Sequence, residues 1–208
     1  MWAAHPLPTP FLTNMKTIEY LILSALLLAV VRCGNHGNRD NAQDGPDAAQ
    51  QELIDNGWEF YTPDNGDLPS KYGVRPVKGL LDNYFDIEMG EGGNMAVKIV
   101  DAETENTIRY VYVSENTKTT ITEIPAGKYY LKLAFGYDWM NYDQGSIIRG
   151  KFSKSAYYQI SNEIFDFGAK NTMNARSFSL KIHTNHDPNY TNFSTSEISE
   201  EQFVGRDL

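Results

Sequence analysis

The chain has 208 residues, 41% hydrophobic and 12% aromatic, enough for one folded domain with extensions. Its formal net charge is −9 with no run of Lys or Arg, which excludes the basic surface that nucleic acid or anionic lipid would require. The single cysteine, Cys33, excludes an intramolecular disulfide framework and a cysteine-rich zinc site.

Residues 1–14 carry Trp2, His5 and three prolines and fit no leader. They read as an extension from an upstream start codon, with Met15 the expected first residue. From Met15 the chain gives a short charged start with Lys16 and Glu19, an apolar run over 21–31, then Arg32 and Cys33. This is the layout of a secretory signal peptide, expected over 15–32. The run is shorter than the roughly 20 apolar residues that span a bilayer. No polar residues interrupt it at helical spacing, so a buried core helix is the poorer reading.

The residues before the cysteine are Ala29, Val30, Val31 and Arg32. They resemble a bacterial lipobox, with Arg32 standing where a small residue is usual. The resemblance implies that Cys33 is lipidated and becomes the mature terminus. The expected location is then the bacterial cell envelope, membrane-anchored, in the periplasm or at the surface. Each buried methylene of such an anchor contributes about 0.8 kcal/mol. Removing 1–32 takes away Lys16, Glu19 and Arg32 and leaves a mature charge of −10.

Residues 33–56 are rich in Gly, Asn, Asp and Gln, with no large apolar side chain before Leu53. Such a stretch does not bury enough surface to offset its ordering entropy, so a flexible tether is expected. A chain of about 20 such residues reaches around 25 Å. A helical turn or two is expected within 47–54.

The folded domain is expected over 57–208. Phe85, Ile87 and Met89 alternate with Tyr84, Asp86 and Glu88. Val97 and Ile99 are separated by Lys98. Ile108, Tyr110 and Tyr112 share one face, with Arg109, Val111 and Val113 on the other. Tyr129, Leu131, Leu133 and Phe135 alternate with Tyr130, Lys132 and Ala134, and Phe178, Leu180 and Ile182 with polar neighbours. Period two of this kind marks strands with one wet face. Turn residues separate them: glycines at 90–93, an Asp-led loop at 101–106, a second hairpin loop at 114–118, and Pro125 with Gly127. The pattern predicts an all-β fold, an antiparallel β-sandwich of about seven or eight strands. A short helix is expected over 196–204, with Phe203 docking on the sheet.

The stretch from Val97 to Asp101, followed by Ile124, Pro125, Gly127 and Tyr129, resembles the transthyretin-like (carboxypeptidase regulatory-like) β-sandwich modules, a variant of the Ig-like layout. There a strand ending in Asp leads to a loop, and an Ile-Pro-x-Gly-x-Tyr corner opens a later strand. The resemblance implies a non-catalytic domain. The whole chain is similar to bacterial surface lipoproteins.

Residues 136–145 form the most distinctive expected loop. Tyr137, Trp139 and Tyr142 lie among Asp138, Asn141 and Asp143. Exposed aromatics beside acids and amides stack on sugar rings or anchor a protein partner. The preferred reading folds the loop back so that Trp139 caps the sandwich, because large aromatics are mostly buried. With the loop open instead, Tyr137, Asp138, Trp139 and Tyr142 are the candidate ligand-binding residues.

His183, His186 and Asp187 stand close together, but their spacing on a strand puts the histidines on opposite faces, so no metal is expected. Asp101, Glu103 and Glu105 lack the glycine and closing glutamate of a calcium loop. Gly90, Gly92 and Gly93 precede a strand rather than a helix, which removes a phosphate cradle. No Gly-x-Ser-x-Gly elbow is present. The expectation is a lipid-anchored envelope protein with a non-catalytic binding or assembly role and no cofactor. Its partners are the membrane, through the anchor, and an envelope protein or glycan. A carbohydrate-binding surface module is the first alternative, and a carboxylate-based hydrolase the second.

Overall fold

The computed structural model describes residues 45–169, 175–182 and 193–205. The leader, Cys33, the tether residues 33–44, and His183, His186 and Asp187 lie outside the described residues.

Helix α1 (Ala48–Asp55) comes first. The Asp47 carboxylate accepts from the Gln50 amide, and the Gln50 side chain accepts from the Asp47 amide. This reciprocal pair satisfies two donors that a helix start leaves open. The turn expected at 47–54 is thus a capped helix, and it is docked: Gln50 is buried against the sheet. The stretch expected as tether over 33–56 therefore contains part of the folded unit, which runs from Gln43 to Leu208. A buried Gln carries no hydrophobic signal, so composition concealed the docking.

Strands β1 (Glu59–Phe60) and β2 (Gly66–Asp67) and a 3-10 turn (Ser70–Tyr72) follow. Then come β3 (Tyr84–Met89), β4 (Asn94–Asp101), β5 (Thr107–Val113), β6 (Thr117–Thr122), β7 (Lys128–Asp143) and β8 (Ile148–Ser161). Strands β9 (Phe165–Asp166), β10 (Phe178–Ile182) and β11 (Thr195–Ile198) and helix α2 (Glu200–Val204) complete the described chain. Eleven strands stand among the described residues, more than expected, because β1, β2 and β9 are two-residue pieces too short to show a period.

The strands form two packed sheets, an all-β sandwich. The large sheet runs β11-β8-β7-β4-β5-β2, and the small sheet runs β10-β3-β6. The long strand β7 also pairs with β9 near its start and with β1 near its end. One pairing departs from the antiparallel expectation: β10 lies parallel to β3. Alternation fixes which face a strand buries, not its direction. The segment 114–118 is likewise no hairpin, because β5 and β6 belong to different sheets. Asn116 takes φ 56° there, and Glu115 is tied to Asn94 and Gly92, so the chain crosses between sheets.

The second crossing is the Pro125 corner. The Asn83 amide clasps Ile124 from both sides, donating to its carbonyl and accepting from its N–H. The Tyr129 hydroxyl donates to the Pro125 carbonyl at 3.0 Å. A Cβ on Gly127 would sit 2.8 Å from that hydroxyl, so the residue must be small. Arg109 holds the same corner from the large sheet. It is 1% exposed, pairs with Asp67 at 2.7 Å and donates to the carbonyls of Thr122 and Glu123.

Between the sheets lies the inner core. Phe85, Ile87, Met89, Ile121, Leu180 and Ile182 of the small sheet meet Val97, Ile99, Val111, Leu131, Leu133 and Phe135 of the large one. A register shift sets Ile99 opposite Arg109 and Val100 opposite Thr107, leaving Ile108 as an extra residue. This bulge turns Ile108 into the inner core, away from the face it was expected to share with Tyr110 and Tyr112.

The outer face of the large sheet, expected to be wet, is covered. Tyr110, Tyr112, Ala96, Ala134 and Phe152 pack there against Leu68, Tyr72, Val74 and Phe203. Phe203 comes from α2, which the Ser199 side chain caps and Gln202 completes. The helix expected over 196–204 is thus strand β11 followed by a shorter helix, with Phe203 docked as expected.

Candidate functional site

Strand β7 continues through the residues expected as a loop. Between Phe135 and Tyr137 its register against β8 shifts, with Gly136 on β7 facing an extra residue around Ser155 of β8. A Cβ on Gly136 would lie 2.6 Å from the Phe152 Cβ, so only glycine fits this approach. Past the bulge the alternation changes phase. Leu133 and Phe135 face the inner core, whereas Trp139 faces the outer layer.

The four candidate residues therefore separate. Trp139 is 2% exposed, between Tyr112 and Phe152, and its indole N–H donates to Asn141 Oδ1 at 2.9 Å. The Tyr72 hydroxyl donates to the same oxygen at 2.8 Å. Burial pushes the Tyr72 hydroxyl pKa up, against the lowering pull of its bonds to Asn141 and Trp139. The Asp138 carboxylate, with φ 54° at its backbone, accepts from Gln50 and so docks α1. Tyr142 stacks on Trp58 at 5.6 Å. Tyr137, at 38% exposure, and Asp138 stay open, whereas Trp139 is buried and Tyr142 is partly covered. The structure does not bring the four onto one surface.

A different place gathers chemistry. A cleft of about 280 Å³ opens on the outer face of the large sheet, beside α2. Tyr110 of β5 and Tyr72 of the 3-10 turn line it with Phe203 of α2 and Trp58. Gly150 on β8 makes this possible, because a side chain there would overlap Trp139 and meet Tyr72 Cε1 at 2.8 Å. Lys98, in the middle of β4, sits in this layer at 4% exposure. Its ammonium donates to the Val204 carbonyl at 2.9 Å and lies 5.1 Å from the Tyr110 ring centre and 5.0 Å from that of Phe203. A cation over aromatic faces is attracted by the ring quadrupole. Lys132 donates to the Gln202 carbonyl at 2.6 Å, so two lysines hold the C-terminal carbonyls of α2. Lys151 lies 5.1 Å from the Trp58 ring and 3.8 Å from Glu200, and Arg149 completes the basic side. Burial, then the nearby Glu200, pushes the neighbouring Tyr158 hydroxyl pKa up.

Sequence reasoning missed this cleft because Lys98 and Lys132 read as wet-face residues. The only signal was a lysine centred in an otherwise apolar strand. The Asp101 carboxylate is taken up by the amides of Glu103 and Thr104, the bonding of a tight solvated turn. Among the described residues, no three His, Cys, Asp or Glu side chains are grouped as a metal set would be.

Compared with family models, with curated proteins and with solved structures, the chain matches none.

Proposed function

We propose that this chain is an exported, lipid-anchored protein of a bacterial cell envelope, whose β-sandwich is a non-catalytic binding module. The order of segments carries the reading. An apolar run over 21–31 is followed by Arg32 and Cys33, and the folded unit begins at Gln43. The corner through Ile124, Pro125, Gly127 and Tyr129 supports a kinship with transthyretin-like modules, since Tyr129 closes it onto Pro125. A cleft built by packed side chains supports a binding role, because a pre-formed site costs little ordering on ligation.

Intact mass and detergent partitioning test the anchor, with Cys33→Ala beside the parent. The parent is expected to gain lipid mass and enter the detergent phase while the variant stays aqueous. If both stay aqueous, Cys33 is incidental and the anchored module is withdrawn.

Carbohydrate recognition remains as a second reading at a different place. Trp139 is packed inside, so the 136–145 segment offers no aromatic platform of the kind expected. Four aromatic side chains instead line the cleft beside α2.

A further inference from the structure

The cleft beside α2 is lined against the charge of the chain. Three lining side chains are cationic, Lys98, Arg149 and Lys151, against one carboxylate, Glu200, in a chain of net charge −9. Walls of low dielectric concentrate such a field and draw in the opposite charge. Lys98 is fixed beneath the floor by Val204 and two rings, so its ammonium holds one position under the site. Lys151 has three donors, and its 3.8 Å separation from Glu200 leaves room for an incoming acceptor.

The remaining lining narrows the class of anion. Trp58, Tyr72, Tyr110 and Phe203 offer apolar ring faces. A cleft of about 280 Å³ takes one ring rather than a chain of them. Glu200 is half-exposed at the rim, where the Tyr158 hydroxyl already donates to it, and its carboxylate has lone pairs left for further donors but no proton to give. A plain aromatic acid would bring it no donor. This lining suits a ligand that combines an anionic group, hydroxyl donors and a CH-rich ring face.

We propose that this cleft binds a single-ring sugar acid. Its carboxylate meets Arg149 and Lys151 over the charge of Lys98, its hydroxyls donate to Glu200, and its ring lies on the aromatic wall. The proposal rests on the reading of the domain as a binding module and names the ligand class of that module.

Calorimetric titration of the full chain in detergent, with glucuronate, glucose and benzoate, tests it. Glucuronate is expected to bind, with glucose and benzoate each weaker by roughly tenfold or more, as the loss of charge-assisted or hydroxyl bonds implies. Lys151→Met and Arg149→Met are each expected to weaken glucuronate by about tenfold. Arg149 is exposed, so its variant keeps the test valid if Lys151→Met unfolds. No glucuronate heat, equal binding of glucose or benzoate, or unchanged affinity in a folded Arg149→Met protein overturns the assignment. Such a failure beside intact Cys33-dependent partitioning removes the cleft ligand alone and leaves the anchored module standing.

Discussion

The two apolar layers on either side of the large sheet are built by different rules. The inner core is strand against strand, with period-two residues of β3 and β10 meeting those of β4, β5 and β7. The outer layer is strand against fragments: a 3-10 turn, the five-residue helix α2 and a Trp displaced by a bulge. Polar anchoring differs as well. Asn83 and Arg109 clasp the corner beside the inner core, whereas Lys98 and Lys132 pin α2 over the outer layer by its carbonyls. The inner core can therefore supply stability while the outer layer is left to shape a cleft.

Truncation on each side separates these roles. Phe85 is fully buried and touches the rings of Phe165, Phe167 and Phe178. Phe85→Ala is expected to cost about 3–5 kcal/mol in urea unfolding, because two sheets cannot collapse onto the gap. Phe203→Ala should cost less than about 3 kcal/mol, because a short helix can shift to fill part of the space. It should also abolish ligand binding in the cleft. Equal losses at both sites would show that the outer layer is as rigid as the inner core.

That contrast follows what the sequence makes legible. The alternation of Phe85, Ile87 and Met89, and of Tyr129, Leu131, Leu133 and Phe135, names the inner face residue by residue. Ile108 escapes because a bulge changes phase without any Gly or Pro to mark it. The burial of Trp139 is one of the two readings its segment offers, but the strand that carries it escapes, because Gly136 beside Asp138 looks like the start of a loop, whereas here the glycine serves a close approach to Phe152. Lys98 and Lys132 escape because a lysine on an alternating strand reads as solvent-facing. Only the distant α2, more than sixty positions along the chain, explains their hydrogen bonds. Periodicity reports the face of a strand; it does not report what short element will cover that face.

Two smaller perturbations probe the outer layer without deleting a ring. Gly150→Ala pushes a methyl into Trp139 and Tyr72 and should cost about 1–3 kcal/mol by overpacking, visible as a lower thermal midpoint. A neutral result would mean that Trp139 has room to move. Gln50→Ala removes the cap partner of Asp47 and the bonds to Asp138 and Ser153. It should cost about 1 kcal/mol. Amide exchange should speed up in α1 while β3 and β4 stay protected. Faster exchange throughout would make α1 part of the cooperative core.

The smallest effect at neutral pH comes from the buried tyrosines, and it grows only in alkali. Burial pushes the Tyr112 hydroxyl up to about 12 from 10.0, and burial with the nearby Asp101 does the same for Tyr129. A raised folded value means that the native state keeps its proton where the unfolded chain has lost it. The stabilisation is therefore complete below pH 10 and is lost as pH rises through about 12. Thermal midpoints measured from pH 9 to 12 should fall with a steep alkaline limb. Tyr112→Phe should change stability by no more than about 1 kcal/mol at pH 7 and make that limb shallower. Tyr129→Phe also flattens it, but gives up the bond to Pro125 and so starts from a lower midpoint. An unchanged limb in Tyr112→Phe would mean that water reaches the outer layer well before unfolding. The two faces of the sheet would then differ in solvent access as well as in construction.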